Sequence, residues 1–237
     1  MRQLLLDFTQ APAPTFENFV TGRNAEPLAA VRAALDGHRN GGRSPVSPDM
    51  ESAPHSASTA STRVLYLWGE TGAGKSHLLR AFAAARADAL FVRGEDYRGT
   101  EAGGMLVLDD AERLGEARQV ALFNAFNERA FDAILVSAHA APRDVALRRD
   151  LATRLATGLA YRLLALTDEE KREALAAHAR ARGFALSEEV AAYLLNHARR
   201  DMPSLMRALD ALDRHSLETG RPITVPLLKA ALQPELT

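Results

Sequence analysis

The residues best suited to chemistry lie in one run, Gly69-Glu70-Thr71-Gly72-Ala73-Gly74-Lys75-Ser76. The run fits G-x-x-x-x-G-K-[ST], the pattern of a phosphate-binding loop. Gly69, Gly72 and Gly74, with Thr71 between them, let the backbone curl until its N–H groups converge on an anion. A helix starting there adds the partial positive charge of its N-terminus. Lys75 can reach β- and γ-phosphates, and the Ser76 hydroxyl can ligate Mg²⁺.

A second run, Met105-Leu106-Val107-Leu108, is apolar and ends in Asp109 and Asp110. Behind a phosphate loop, the first such acid suits Mg²⁺ and the second suits the attacking water. Two acids at a strand end are also a favourable helix start. Ser137 closes another apolar run, where it can sense the γ-phosphate or the water; capping the strand end is the alternative. Leu147–Leu155 carries Arg148, Arg149 and Arg154. A guanidinium there can neutralise charge on a transferring phosphoryl group, including one bound by a neighbouring subunit. Arg154 is the candidate, although composition alone favours a plain surface arginine.

These residues need a scaffold. Val64–Trp68, Ala89–Arg93, Met105–Asp109, Ala133–Ala138 and Tyr161–Leu166 read as strands. Helices are expected over Glu26–Leu35, Lys75–Arg86, Glu116–Ala130 and Asp150–Ala156. Continuous apolar strands between amphipathic helices predict an α/β fold, a five-stranded parallel sheet covered on both faces. After Leu166 the pattern turns all-helical. Thr167-Asp168-Glu169-Glu170 is a capping-box start, and Gly183 and Gly220 are expected to stop helices. Ser187, Asp201 and Val225 open the others. The expected organisation is a spacer over 1–14, an α/β domain over 15–166 and a small all-α domain over 167–237. Within the α/β domain, 36–62 is rich in Ser, Pro, Ala and Thr and reads as a disordered insertion.

Composition narrows the partners. Lys and Arg total 29 against 30 Asp and Glu, which argues against a broad electrostatic grip on nucleic acid. With no cysteine, disulfides and thiolate chemistry are excluded. Asp7 interrupts Leu4-Leu5-Leu6, so no signal peptide is expected. No apolar run reaches membrane-spanning length. A cytoplasmic protein is the expectation.

Taken together, the loop with Ser76-His77-Leu78-Leu79, the Asp109-Asp110 pair, Ser137, the Arg154 segment and the helical tail resemble AAA+ ATPases. The resemblance is closer to the bacterial replication initiator group, DnaA. It covers about residues 15–237 except the insertion. It implies an AAA+ core with a helical lid, an ADP or ATP ligand with Mg²⁺, and adenine lying against backbone near Val20 and Gly22. His77 is carried over as part of the loop motif. The group's DNA-binding domain is not expected after the lid. Gly94–Gly104 is too short for the two-helix element with which initiators engage single-stranded DNA. The group's nucleotide-sensing arginine would open the third lid helix. Pro203 stands there, with Arg207 a turn later, so weak or absent intrinsic hydrolysis is expected.

Gln3-x-x-Leu6-x-Phe8 is similar to the motif by which bacterial proteins dock on the DNA polymerase sliding clamp (its β subunit). Leu6 and Phe8 can fill an apolar pocket while Gln3 bonds at its rim; a frayed apolar terminus is the alternative. The combination resembles regulatory homologues of the initiator. That resemblance implies docking on clamp, indirect contact with DNA, and an Arg154 that acts in trans on initiator-bound ATP. A homo-oligomer is compatible. A helicase loader and a self-contained remodelling ATPase remain alternatives.

Overall fold

The computed structural model describes residues 13–36, 62–199 and 201–232. The peptide carrying Gln3, Leu6 and Phe8, and residues 37–61 of the insertion, lie outside the described residues. The chain divides into two compact units, Pro14–Ala165 and a unit that holds Leu166 onward.

The first unit is the expected five-stranded parallel sheet, in the order β2-β3-β4-β1-β5. Its strands are β1 (Arg63–Trp68), β2 (Ala89–Arg93), β3 (Gly103–Asp109), β4 (Phe131–Ala138) and β5 (Leu159–Arg162). Four helices accompany them: α1 (Ala25–Asp36), α2 (Lys75–Ala84), α3 (Glu116–Glu128) and α4 (Arg149–Leu155). The apolar runs serve two faces because side chains alternate along a strand. Val64, Tyr66, Leu106, Leu108, Ile134 and Val136 pack with Leu122 of α3 and with Leu151 and Leu155 of α4. Leu65, Leu67, Met105, Val107 and Leu135 pack with Leu28 and Val31 of α1 and Leu78 and Phe82 of α2. Parallel register then carries the C-terminal ends of β1, β3 and β4 to one edge. Leu67 faces Ser137, and Leu108 faces Val136. That edge is where open α/β sheets bind ligands.

Sequence and structure differ at β5. The strand was expected over Tyr161–Leu166 but spans Leu159–Arg162. It pairs with β1 from Leu65↔Leu159 to Trp68↔Arg162. The last ladder bond is from Leu163 N–H to the Trp68 carbonyl, at 2.7 Å. Beyond Trp68 the partner strand has become the phosphate loop, so the ladder stops. The apolar run that follows is satisfied by a side chain instead: Asn24 accepts from Leu164 N–H at 2.8 Å and donates to its carbonyl at 2.9 Å. α3 also stops short of Ala130, because Arg129 turns left-handed at φ 54° and closes the helix.

The second unit is helical: α5 (Asp168–Ala181), α6 (Glu188–His197), α7 (Met202–Thr219) and α8 (Val225–Leu232). Thr167 and Glu170 form both halves of the capping box, at 3.2 and 2.7 Å. Asp201 caps α7 through Ser204 N–H at 2.9 Å. Leu175, Leu194, Leu205, Leu209, Leu212 and Leu228 form its core. His178 meets Asp210 at 2.6 Å and Arg182 meets Asp213 at 2.8 Å, tying α5 to α7.

Candidate functional site

The loop between β1 and α2 keeps its conformation through glycine. Gly72 and Gly74 have φ 84° and 96°, which other residues rarely adopt. A Cβ on Gly74 would also stand 2.7 Å from the Phe19 ring. Gly74 caps α2, so Lys75, Ser76 and His77 form its first turn, whose N–H groups have no helical partner. Gly69 and Thr71 lie in the same turn of chain.

Lys75 is 7% exposed and lies across the loop. Its ammonium donates to the carbonyls of Gly69 and Glu70, at 2.7 and 2.9 Å. Burial lowers its affinity for a proton; Glu112, Asp110 and Asp109, in that order, oppose the shift. The ammonium is therefore pre-placed at the loop by these two carbonyls.

Asp109 is 2% exposed and gathers the other groups. The Ser76 hydroxyl donates to its Oδ1 at 3.1 Å, and the Ser137 hydroxyl donates to the same oxygen at 2.6 Å. Ser137 Oγ in turn accepts from Asp110 N–H at 3.0 Å. Three elements far apart in sequence thus meet around one carboxylate. Asp110 sits at the strand end in a left-handed conformation, φ 55°. Burial raises its carboxyl above the usual range, with Asp109 and Glu112 adding to the effect. A Ser hydroxyl and a carboxylate are hard oxygen donors of the kind Mg²⁺ takes, with phosphate and water completing the shell. Among the described residues no cluster of three or more His, Cys, Asp or Glu side chains forms a metal cage. The donor set therefore fits Mg²⁺ carried by a nucleotide rather than a protein-only metal site.

The segment carrying Val20 and Gly22 lies beside the loop. His77 Nε2 donates to the Thr15 carbonyl at 2.9 Å, and its ring meets Phe19 at 5.5 Å. Burial lowers the pKa of His77, against the Thr15 bond. Neutral His77 thus holds the segment on the first turn of α2. At its other end the segment is fixed by the two Asn24–Leu164 bonds and by Arg23, which donates to the Ala165 carbonyl at 3.0 Å. Val20 is half-buried and Gly22 exposed.

Arg154 is elsewhere, exposed on α4. It donates to the neutral amide of Asn127 at 3.2 Å. With Phe123, Arg148, Arg149, Asp150 and Thr153 it lines an open concavity of about 750 Å³. Arg148 is committed to Asp150 at 2.9 Å. Arg207 belongs to the helical unit, where it donates to the Pro203 carbonyl at 3.3 Å and to the Ser204 hydroxyl at 3.0 Å. Sequence reading passed over Asn24 as a fastener and Glu112 as a site carboxylate. Glu112 lies three residues beyond Asp109 and is visible as a further acid there; Asn24 gives no local signal.

The fold and the loop define an AAA+ module: a phosphate loop on a five-stranded parallel sheet, followed by a helical lid. Over residues 168–232 the lid matches the family model "Hda, lid domain". Domain III of the Thermotoga maritima replication initiation protein DnaA shares the fold at 21% identity and a TM-score of 0.61, covering 94% of this chain and 100% of its own. AMPPCP-bound DnaA from Aquifex aeolicus does so at 18% identity and 0.61, over 87% of this chain and 69% of its own. A RuvB variant from Thermotoga maritima follows at 17% and 0.61, over 94% and 73%. Lid and fold together are consistent with an Hda-like homologue of DnaA.

Proposed function

We propose that this chain is a nucleotide-bound regulator of DNA replication initiation that acts on ATP held by the initiator DnaA. In this reading Gly69–Ser76 holds ADP or ATP with Mg²⁺, and the segment at Val20 and Gly22 takes the base. When bound, the metal supplies charge neutralisation to the phosphates. Lys75 donates to phosphate oxygens, Ser76 and Asp109 supply metal ligands, and Ser137 fixes the Asp109 carboxylate. Arg154 reaches the initiator's nucleotide and stabilises charge developing there. Gln3, Leu6 and Phe8 dock on the sliding clamp, which brings DNA into proximity without direct binding.

The observation that carries this reading is the state of Arg154. It is exposed, lines a concavity beside other arginines, and is held by an amide rather than a carboxylate. The Hda lid match and the DnaA fold supply its setting. No helix stands between β2 and β3, where residues 94–102 carry only turns and coil. That supports a chain that does not grip single-stranded DNA through an inserted helical element. Among the described residues no helix is long and apolar enough to cross a membrane. The reading assigns the protein to the cytoplasm with the replication machinery.

The test follows hydrolysis of initiator-bound ATP with clamp and DNA present. The native chain accelerates it; Arg154→Ala does not, while nucleotide content and clamp binding persist. A Gln3→Ala/Phe8→Ala variant loses clamp binding. Failure of the native chain to bind clamp contradicts the docking reading. A second reading, a self-contained ATPase, is favoured by the Ser76–Asp109–Ser137 cluster beside Asp110. It requires turnover by the isolated chain that Asp110→Asn abolishes.

A further inference from the structure

Arg149 carries its charge at the end of α4 that disfavours it. A helix N-terminus holds partial positive charge, so acids are stabilising there and bases are not. Arg148 caps α4 and Arg149 begins it. Asp150 answers only Arg148, accepting from its guanidinium at 2.9 and 3.3 Å and from the Leu151 N–H at 2.8 Å. The side chain of Arg149 is exposed and makes no hydrogen bond or ion pair among the described residues. It lines the same concavity as Arg154. Five residues of helix rise about 7.5 Å, a span that two arginine side chains can close on one phosphoryl group between them. Their restraint differs. Arg154 is held by the Asn127 amide at 3.2 Å, and Arg149 is held by nothing. Donors that stabilise a transition state act best when fixed in advance. A loose guanidinium follows whatever charge is offered, and so serves ground state and transition state alike.

We propose that Arg149 is a second anion-binding arginine of this concavity, which anchors the terminal phosphate of a nucleoside triphosphate held by the partner. Arg154 acts on the charge that develops there; Arg149 holds the charge already present. The proposal rests on the reading that the concavity meets the initiator's nucleotide. Arg149 then makes this chain favour the triphosphate-bound partner over the diphosphate-bound one, because the group it holds is lost on hydrolysis. It sets affinity and leaves the rate of the chemical step alone. Its contribution is charge on a flexible arm, so an ammonium can stand in for it.

The experiment loads the initiator with a non-hydrolysable ATP analogue or with ADP and keeps clamp and DNA present. The full chain is titrated against each form as native protein, Arg149→Ala and Arg149→Lys. Native protein favours the triphosphate form. Arg149→Ala shrinks that preference about five- to tenfold by weakening the triphosphate complex, and Arg149→Lys keeps it within about twofold. With hydrolysable ATP on the initiator, Arg149→Ala raises the half-maximal concentration of this chain by about five- to tenfold. The rate at saturation stays within about twofold of native, a split that Arg154→Ala does not show. Equal weakening of both loaded forms assigns Arg149 to an acidic side chain or to DNA and overturns the proposal. So does native protein with no preference between the forms, or a saturating rate that collapses in Arg149→Ala. A native chain that engages neither form removes the reading of the concavity itself, a result distinct from an unmoved ratio.

Discussion

The α/β core carries two charged regions of opposite character. At the phosphate loop the buried ammonium of Lys75 donates to two carbonyls, and the next residue, Ser76, donates to the buried Asp109 carboxylate. On the concavity between α3 and α4, Arg148, Arg149 and Arg154 surround Phe123, with Asp150 the only acid of the lining. The loop region is built from backbone, buried side chains and short hydrogen bonds that cross between strands. The arginine region is built from exposed side chains with light restraint. In the proposed function this pre-organised loop keeps a ligand of its own. The arginine concavity is open, and in the proposed function it meets charge supplied by another chain. In the proposed function, holding a nucleotide and acting on one fall to these two different places.

The largest effect that can break this comparison belongs to Lys75. Lys75→Ala should weaken nucleotide binding by about 100-fold, since a charge-assisted donor to phosphate is lost. Equilibrium titration measures it, and clamp binding should be unaffected. Arg154→Ala should reverse the pattern, with nucleotide binding within about twofold of native and stimulation of initiator-bound hydrolysis reduced by at least about 100-fold. Arg154→Lys should not restore it, because an ammonium lacks the planar fork. If either variant disturbs both activities, the two regions are not independent.

Smaller effects sharpen the loop side. Asn24 is 1% exposed and closes both bonds to Leu164. Asn24→Ala should cost about 2–3 kcal/mol in denaturant unfolding by stranding the Leu164 amide and carbonyl. His77 contributes a pH dependence. Burial lowers its pKa in the folded protein, so the unfolded chain takes up the proton first. The contribution is complete above the ordinary imidazole pKa and is lost as pH falls through the lowered one. Melting temperature should fall between about pH 7 and pH 5 more steeply in native protein than in His77→Gln. In the helical unit, Thr167→Ala should cost about 1 kcal/mol through the capping box and leave nucleotide binding unchanged.

Much of this was legible in the sequence because local pattern and fold agree. A Gly-rich loop between an apolar strand and a helix admits few structures, and β3 announces itself by ending in Asp109. Meeting points were harder to read. Ser76, Asp109 and Ser137 converge only through parallel register, and the sequence supplied their types but not the shared carboxylate oxygen. β5 was misplaced because Leu163–Leu166 is as apolar as a strand, whereas Leu159, which begins the strand, is 63% exposed at the sheet edge. The fastening of Leu164 by Asn24 spans 140 residues and leaves no periodic trace. Glu112 reads as an ordinary acid at a helix start; the burial of its second carboxylate oxygen, without a hydrogen-bond partner, is a property of packing.

The central claim is that this chain acts through Arg154 on a nucleotide it does not itself hold. The most direct measurement labels only the ATP on the initiator, supplies this chain with a non-hydrolysable nucleotide, and follows label release with clamp and DNA present. The account predicts rapid release with the native chain and none above background with Arg154→Ala. Release that requires a hydrolysable nucleotide on this chain, or that persists in Arg154→Ala, would contradict it.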